Sequence, residues 1–409
     1  MTKEAHFSSE FKETALFAPP SLLERLEQLD SLDASRHRKK ALGGEIARLS
    51  EAYTRSRSEL REASSSPGGL RARLRFFLPR DLPKAAKPLL EAAARGLLPK
   101  GDRLRVLDLG AGLGTTSLSL LRVLHLKSDT RPVEIVAVDQ DAAALEQARA
   151  LLSRPIEGFA APAEVRVEAM NLSERGLSAI AKGERFDLIL IGLALNELSD
   201  EGQNENKMAE LIEELAMKLV DGGLILIVEP ALKETSRALM SLRDAVAEAG
   251  ALEILGPCMH LAPCPMLERK RDWCHDSLSG DHPGAIAELA EAAGLRAARP
   301  TFSWLLLRRS EHRLTPANLE EAGSEDATKA EDEILSGRII SHRLPSKGKL
   351  ELQLCSTQGE LITLRRLDRH RAEANAEFDE LARGDRVKAI GERKKQALSI
   401  MKDSEITRL

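Results

Sequence analysis

An α/β fold with a mostly parallel, Rossmann-like sheet is predicted for the centre of this chain, on three observations. From residue 103 onward, short apolar runs alternate with amphipathic helical stretches, the pattern of a parallel sheet with helices on both faces. The first of these runs, Leu104–Leu109, opens into three alternate glycines at Gly110, Gly112 and Gly114. The flanks lack the alternation: residues 1–100 show only helical periodicity, and residues 334–392 show short strands with glycine turns. The expected organisation is a helical N-terminal region over 1–100, an α/β domain over 101–310, a linker over 311–333 and a small β-barrel-like domain over 334–409.

Each element has its own warrant. Leu22, Leu23, Leu26 and Leu29, then Ile46, Leu49 and Tyr53, form apolar stripes at helical spacing. The SSSPGG stretch at 64–69 breaks this region, and Pro79, Pro83 and Pro88 punctuate the stretch after it. In the centre, strands are expected over 104–109, 134–139, 165–169, 186–191 and 223–229, with helices over 117–126, 142–152, 207–219 and 234–248. Residues 252–255 and 302–308 read as two closing strands around a 46-residue insertion, 256–301. Further strands are expected over 338–342, 349–355, 360–364 and 385–390. The linker is placed by charge, since residues 320–333 carry seven acids and only Lys329, a run that favours solvation.

Composition narrows the function classes. Of 409 residues 43% are hydrophobic and 30% charged, which is ordinary for a folded chain. Sixty Lys/Arg against 64 Asp/Glu give a net charge of −4, so no global attraction to nucleic acid or membrane follows. The balance is uneven, however, because residues 334–409 hold sixteen basic and eleven acidic side chains. No run approaches the ~18 apolar residues of a membrane span. Glu4, Glu10 and Glu13 suit neither a secretory signal nor a transit peptide. The expectation is a cytoplasmic monomer that binds neither membrane nor DNA.

The glycine loop is the first chemical signal. Val106-Leu107-Asp108-Leu109-Gly110-Ala111-Gly112-Leu113-Gly114 runs from strand to helix as G-x-G-x-G, which is neither the G-x-G-x-x-G of dinucleotide folds nor a P-loop. An acid before the first glycine, Asp108, suits the cationic methionine portion of S-adenosylmethionine better than an anionic pyrophosphate. Asp139, 31 residues on and at the end of the next strand, is placed to accept from both ribose hydroxyls. Met170 and Asn171 follow the third strand, where an adenine ring would lie. After the fourth strand the chain reads Ile191-Gly192-Leu193-Ala194-Leu195-Asn196-Glu197 and lacks the Asn/Asp-Pro-Pro-aromatic signature of amino-group methyltransferases. Asn196 and Glu197 are candidates to orient an acceptor or to cap a loop, and no catalytic residue is assigned.

The four cysteines are the second signal. They fall as Cys258-x5-Cys264-x9-Cys274, then Cys355 after 80 residues, enough for one four-thiolate site with none left over. Thiolates suit zinc or iron–sulfur clusters. The short C-x2–4-C knuckle of structural zinc is missing, so a [4Fe–4S] cluster is favoured, with zinc as the alternative. His260 and His275 are further candidate ligands, and four cysteines packed as small apolar side chains is the competing reading.

Taken together these motifs resemble the methyltransferase-like assembly factors of the small ribosomal subunit, found in mitochondria and bacteria. The resemblance covers residues 50–395 and rests on LDLGAGLGT, LALNEL, the block GPCMHLAPCPMLERKRDWCHDSL, and LCSTQGEL followed by GDRV. It implies a class I methyltransferase domain that binds adenosylmethionine, here through Asp108, Gly110, Gly112, Gly114, Asp139 and Asn171. It also implies a [4Fe–4S] cluster on Cys258, Cys264, Cys274 and Cys355, and association with the small ribosomal subunit and its rRNA. The chain departs from the family block at Met259 and in the charged stretch Glu268–Arg271, and neither change removes a ligand. Basic clusters at Arg269–Arg271, Arg308–Arg309, Arg365–Arg366 with Arg369 and Arg371, and Arg393–Lys395 are the candidate phosphate contacts.

Overall fold

The computed structural model describes residues 13–30, 36–54, 60–171, 180–195, 205–296, 299–309 and 332–409. The N-terminal region is helical, with α1 (Pro20–Asp30), α2 (Arg36–Thr54), α3 (Leu60–Ser65) and α4 (Pro67–Ala72). The Ser-Pro-Gly-Gly break starts a helix: Ser66 caps α4 by accepting the Gly69 N–H at 3.0 Å, and Pro67 opens its first turn, where no N–H is needed. A π-helical turn, Arg73–Phe77, leads directly into α5 (Leu78–Ala94). The prolines expected to punctuate this region instead lie inside α5, at Pro83 and Pro88. Proline removes an intrahelical hydrogen bond, and here packing decides the outcome, because most of α5 is buried, largely against α6 (Thr115–Leu126).

The central domain has the predicted α/β class. Its sheet is built from β1 (Leu104–Leu109), β2 (Val133–Asp139), β3 (Glu164–Ala169), β4 (Phe186–Gly192), β5 (Leu219–Pro230), β6 (Leu252–Gly256), β7 (Asp276–Ser277) and β8 (Thr301–Arg309). The order is β3-β2-β1-β4-β5-β8-β6, with β7 paired to β8. The first five are mutually parallel, whereas β8 runs antiparallel to both β5 and β6. Helices α6, α7 (Ala142–Leu152), α8 (Glu205–Ala216), α9 (Lys233–Ala249) and α10 (Gly284–Ala292) complete the layers. One core contains Val106, Ile135 and Leu188, and the other contains Leu107, Ile189 and Ile225, so alternate residues of the same strands feed opposite faces. α8 stops at Ala216, short of the predicted Leu219, because Leu219 already pairs with Phe186 in the sheet.

The C-terminal residues form β9 (Asp332–Ile339), β10 (Leu344–Ser346), β11 (Lys349–Ser356), β12 (Leu361–Leu367), β13 (Arg386–Lys394), β14 (Ala397–Ile400) and β15 (Ile406–Arg408). β9 pairs with both β11 and β13, and β12 runs parallel to β14, which closes β9-β11-β12-β14-β13 into a ring. This is the five-stranded connectivity of an OB-fold. β9 begins within the stretch expected as linker, with Glu333 opposite Gly391 and its carboxylate 3.4 Å from Arg393. The remainder of that linker, 311–331, lies outside the described residues.

A buried arginine helps join the barrel to the rest of the molecule. Arg338 of β9 is 3% exposed and gives both terminal nitrogens to Glu91 of α5 at 3.0 Å. The same guanidinium reaches Asp276 of β7 at 2.7 Å and lies 5.1 Å over the Trp304 ring.

Candidate functional site

Two sites assemble, one at the glycine loop and one at the cysteines. β1 delivers the chain into the loop, and Gly110, Gly112 and Gly114 all adopt positive φ (65°, 50° and 77°). Space demands glycine as well as backbone freedom. A Cβ on Gly110 would lie 2.3 Å from that of Ala194, and one on Gly112 would lie 2.8 Å from the Arg73 guanidinium. Gly114 then caps α6.

Asp139 ends β2 as predicted, and its carboxylate braces the loop. Oδ2 accepts from the Gly112 N–H and Oδ1 from the Asp141 N–H, both at 2.8 Å. Burial raises its pKa, while the nearby Arg73 opposes that rise. Asp108, at the end of β1, is wholly buried, and its Oδ2 accepts from the Ser117 hydroxyl at 2.5 Å. Burial pushes its carboxyl up to about 7, and Oδ1 has no hydrogen-bond partner among the described residues. Asn171 follows β3 and is half-buried, and Met170 ties this strand end to β2 by donating its N–H to the Asp139 carbonyl at 2.8 Å. Asn196 and Glu197 lie outside the described residues.

Two residues of this site escape sequence reasoning. Arg73, from the π-helical turn, is largely buried against the loop and pairs with Asp141 at 2.6 Å. Such turns recur at functional positions, but nothing in the residues around Arg73 marks it. Glu229, at the end of β5 and 1% exposed, accepts the Leu195 N–H at 2.9 Å and so anchors the segment against Gly110. An acid ending an apolar strand was the available signal.

The second site gathers all four predicted cysteines around one cavity. Cys258 follows β6, Cys264 and Cys274 come from the insertion, and Cys355 lies on β11 of the barrel. All four are free thiols. The cavity measures about 40 Å³, against ~10–15 Å³ for a space that just admits one water. Burial raises every thiol, Cys264 to about 11 and Cys355 to about 12. Arg243 of α9 opposes this at Cys258, and its buried Nε has no hydrogen-bond partner among the described residues. Asp244 accepts the Cys264 N–H at 2.9 Å. His260 places Nε2 3.3 Å from the Cys355 sulfur, and burial together with Arg243 lowers it to about 4. His275 also lines the cavity.

Among the described residues, no three His, Cys, Asp or Glu side chains are grouped closely enough to hold a single metal ion. Zinc binds sulfur at ~2.3 Å, which would draw four sulfurs to within about 4 Å of one another. The observed arrangement is therefore not that of a preformed zinc site.

The basic clusters fare differently. Arg366 is 3% exposed, bonds Asp379 at 2.5 Å and lies over the Phe378 ring, so it belongs to the barrel core and is no phosphate contact. Arg365 pairs with Glu351 at 2.6 Å, Arg308 with Glu253, and Arg393 with Glu333 and Glu360. Adjacent arginines in sequence are a poor guide when cross-strand partners are acidic.

Comparison with known proteins places these sites in context. The family model described as "Mitochondrial small ribosomal subunit Rsm22" matches residues 87–380. No curated protein sequence matches. Among solved structures, the plantazolicin methyltransferase BpumL is 14% identical, with 71% of this chain and 99% of that chain covered and a TM-score of 0.35. The precorrin-6y C5,15-methyltransferase from Geobacter metallireducens is 15% identical over 55% of this chain and 88% of that one, with a TM-score of 0.30. The T. thermophilus 16S rRNA N2 G1207 methyltransferase is 22% identical over 42% and 40%, with a TM-score of 0.28.

Proposed function

The chain belongs to the Rsm22 family, and from that premise we propose that it is an adenosylmethionine-binding, iron–sulfur-carrying factor of small-ribosomal-subunit assembly that methylates rRNA. The observation that carries the reading is the meeting of four cysteines, three from the insertion of the α/β domain and one from the barrel, at one cavity. The donor set is entirely thiol, and the cavity has room for more than one ion. Both suit a [4Fe–4S] cluster held by Cys258, Cys264, Cys274 and Cys355. When bound, the cluster supplies the positive charge that keeps four buried thiols ionised. Arg243 adds charge beside Cys258, and Asp244 fixes the backbone at Cys264.

At the other site, the loop glycines admit the cofactor's backbone contacts and Asp139 is the ribose acceptor. The unpartnered Oδ1 of Asp108 suits a donor such as the ammonium of the methionine portion. Asn171 stands at the adenine end. The reading is tested by sedimenting cell extract on sucrose gradients and by incubating the protein and tritiated adenosylmethionine with immature small subunits. Co-migration with small-subunit particles and label in rRNA are expected. Migration only with free protein overturns the ribosomal assignment, and co-migration without label overturns methyl transfer.

A further inference from the structure

Phosphate binding needs cations that the fold has not already neutralised. Several arginines of the clusters visible in sequence fail this requirement, since Arg308, Arg365, Arg366 and Arg393 each face a carboxylate within 3.4 Å. Two arginines far apart in sequence, Arg299 and Arg383, make no ion pair among the described residues, and a histidine accompanies them. Arg299, just before β8, and His342, in the loop between β9 and β10, are exposed. Arg383, just before β13, is half-buried: one terminal nitrogen donates to the His275 carbonyl at 3.1 Å, and its buried Nε has no hydrogen-bond partner among the described residues. Burial, then Arg383 and Arg299, hold His342 below the usual histidine range, so the imidazole is a neutral N–H donor and the two arginines beside it carry the charge. The carboxylate that faces Arg383, Asp276, is already committed to Arg338 and to the Trp304 indole N–H, both at 2.7 Å.

The position of the group supplies a second argument. In the OB-like barrel, β9 and β11 are the first two strands of the ring, and the loop joining the first two strands is one that binds oligonucleotides in such folds. His342 lies on that loop. Arg383 reaches the insertion next to Cys274, where the half-buried Trp273 ring lies 6.1 Å from that of His275. An aromatic face beside uncompensated cations is the usual platform for a single strand.

We propose that Arg299, His342 and Arg383 form a phosphate-binding ledge for single-stranded RNA, on the first loop of the barrel and at the edge of the cysteine cavity. The proposal rests on the ribosomal reading and names the surface that reading lacks. The test is fluorescence anisotropy of the full chain with a labelled single-stranded fragment of small-subunit rRNA, over a salt series. Each lost phosphate contact should lower the salt slope by about 0.7 and weaken binding about fourfold near 0.15 M salt. Arg299→Gln should show one such step, and Arg299→Gln with Arg383→Gln two, or roughly fifteenfold. Arg365→Gln should leave slope and affinity unchanged. Arg299 is exposed, so its single variant keeps the test sound if Arg383→Gln unfolds. Wild-type RNA binding with unchanged slopes in the ledge variants overturns the ledge alone. No RNA binding by the wild type overturns the ledge and the ribosomal reading together.

Discussion

The glycine loop and the cysteine cavity are built in opposite ways. The loop's key residues, Asp108 to Asp139, span 31 positions of one strand–helix–strand unit, and backbone N–H groups already satisfy Asp139. The cavity's residues span 97 positions from Cys258 to Cys355, on elements that meet only when the barrel is docked. A local site can preform without its ligand. A site of four buried thiols shared between domains depends on what docks the domains and on what fills it.

The largest expected effect therefore lies at the docking residue. Arg338→Leu leaves buried Asp276 without its paired cation and Glu91 with Arg95 at 3.5 Å, and breaking such a buried pair costs about 3–5 kcal/mol. Denaturant unfolding should show that loss, and metal content should fall although no cysteine has changed. Retained metal in a destabilised Arg338→Leu protein would show that the cavity forms independently of this contact.

Next in size is the loop. Asp139→Ala removes the proposed ribose acceptor and should weaken adenosylmethionine binding by about 1.5–3 kcal/mol, read by calorimetry, while metal content stays at the wild-type level. Wild-type affinity would move the pocket elsewhere.

Two pH experiments separate the acids of this site. Arg73 opposes the upward shift of buried Asp139, with Asp141 and Asp108 as its other charged neighbours. In Arg73→Met the carboxyl should protonate at higher pH, so cofactor affinity should drop as the pH is lowered across the acid range. The wild type should vary less over the same range. Asp108 is tested on stability. Its folded pKa of about 7 lies above its ordinary 3.8, so its contribution is complete below about 4 and is lost as pH rises through 7. The stability of Asp108→Asn relative to wild type should accordingly grow across that window, and a pH-independent difference would mean that Asp108 is ionised throughout.

The same contrast explains what could be read from sequence. The sheet, the positive-φ glycines and Asp139 at a strand end follow from local rules of period, backbone freedom and strand termination. The four cysteines were legible as a set because nothing else in the chain competes for them. Arg73, Arg243 and Arg338 were not, since each owes its role to a partner brought near only by packing. Arg366 shows the converse error. Its basic neighbours suggested a surface, whereas alternation along β12 turns it into the barrel, where Asp379 and Phe378 receive it. Pro83 and Pro88 were read as breaks for a related reason, because the burial that holds α5 together lies outside its own sequence.

The central claim is that one iron–sulfur cluster ties the insertion to the barrel through all four cysteines. Its most direct measurement is the iron and acid-labile sulfide content of anaerobically purified wild type and Cys355→Ser, with limited proteolysis of residues 310–331 in parallel. The account predicts about four iron and four sulfide per wild-type chain, with depleted iron and faster cleavage in Cys355→Ser. One zinc per chain, or full iron and unchanged cleavage in Cys355→Ser, would contradict it.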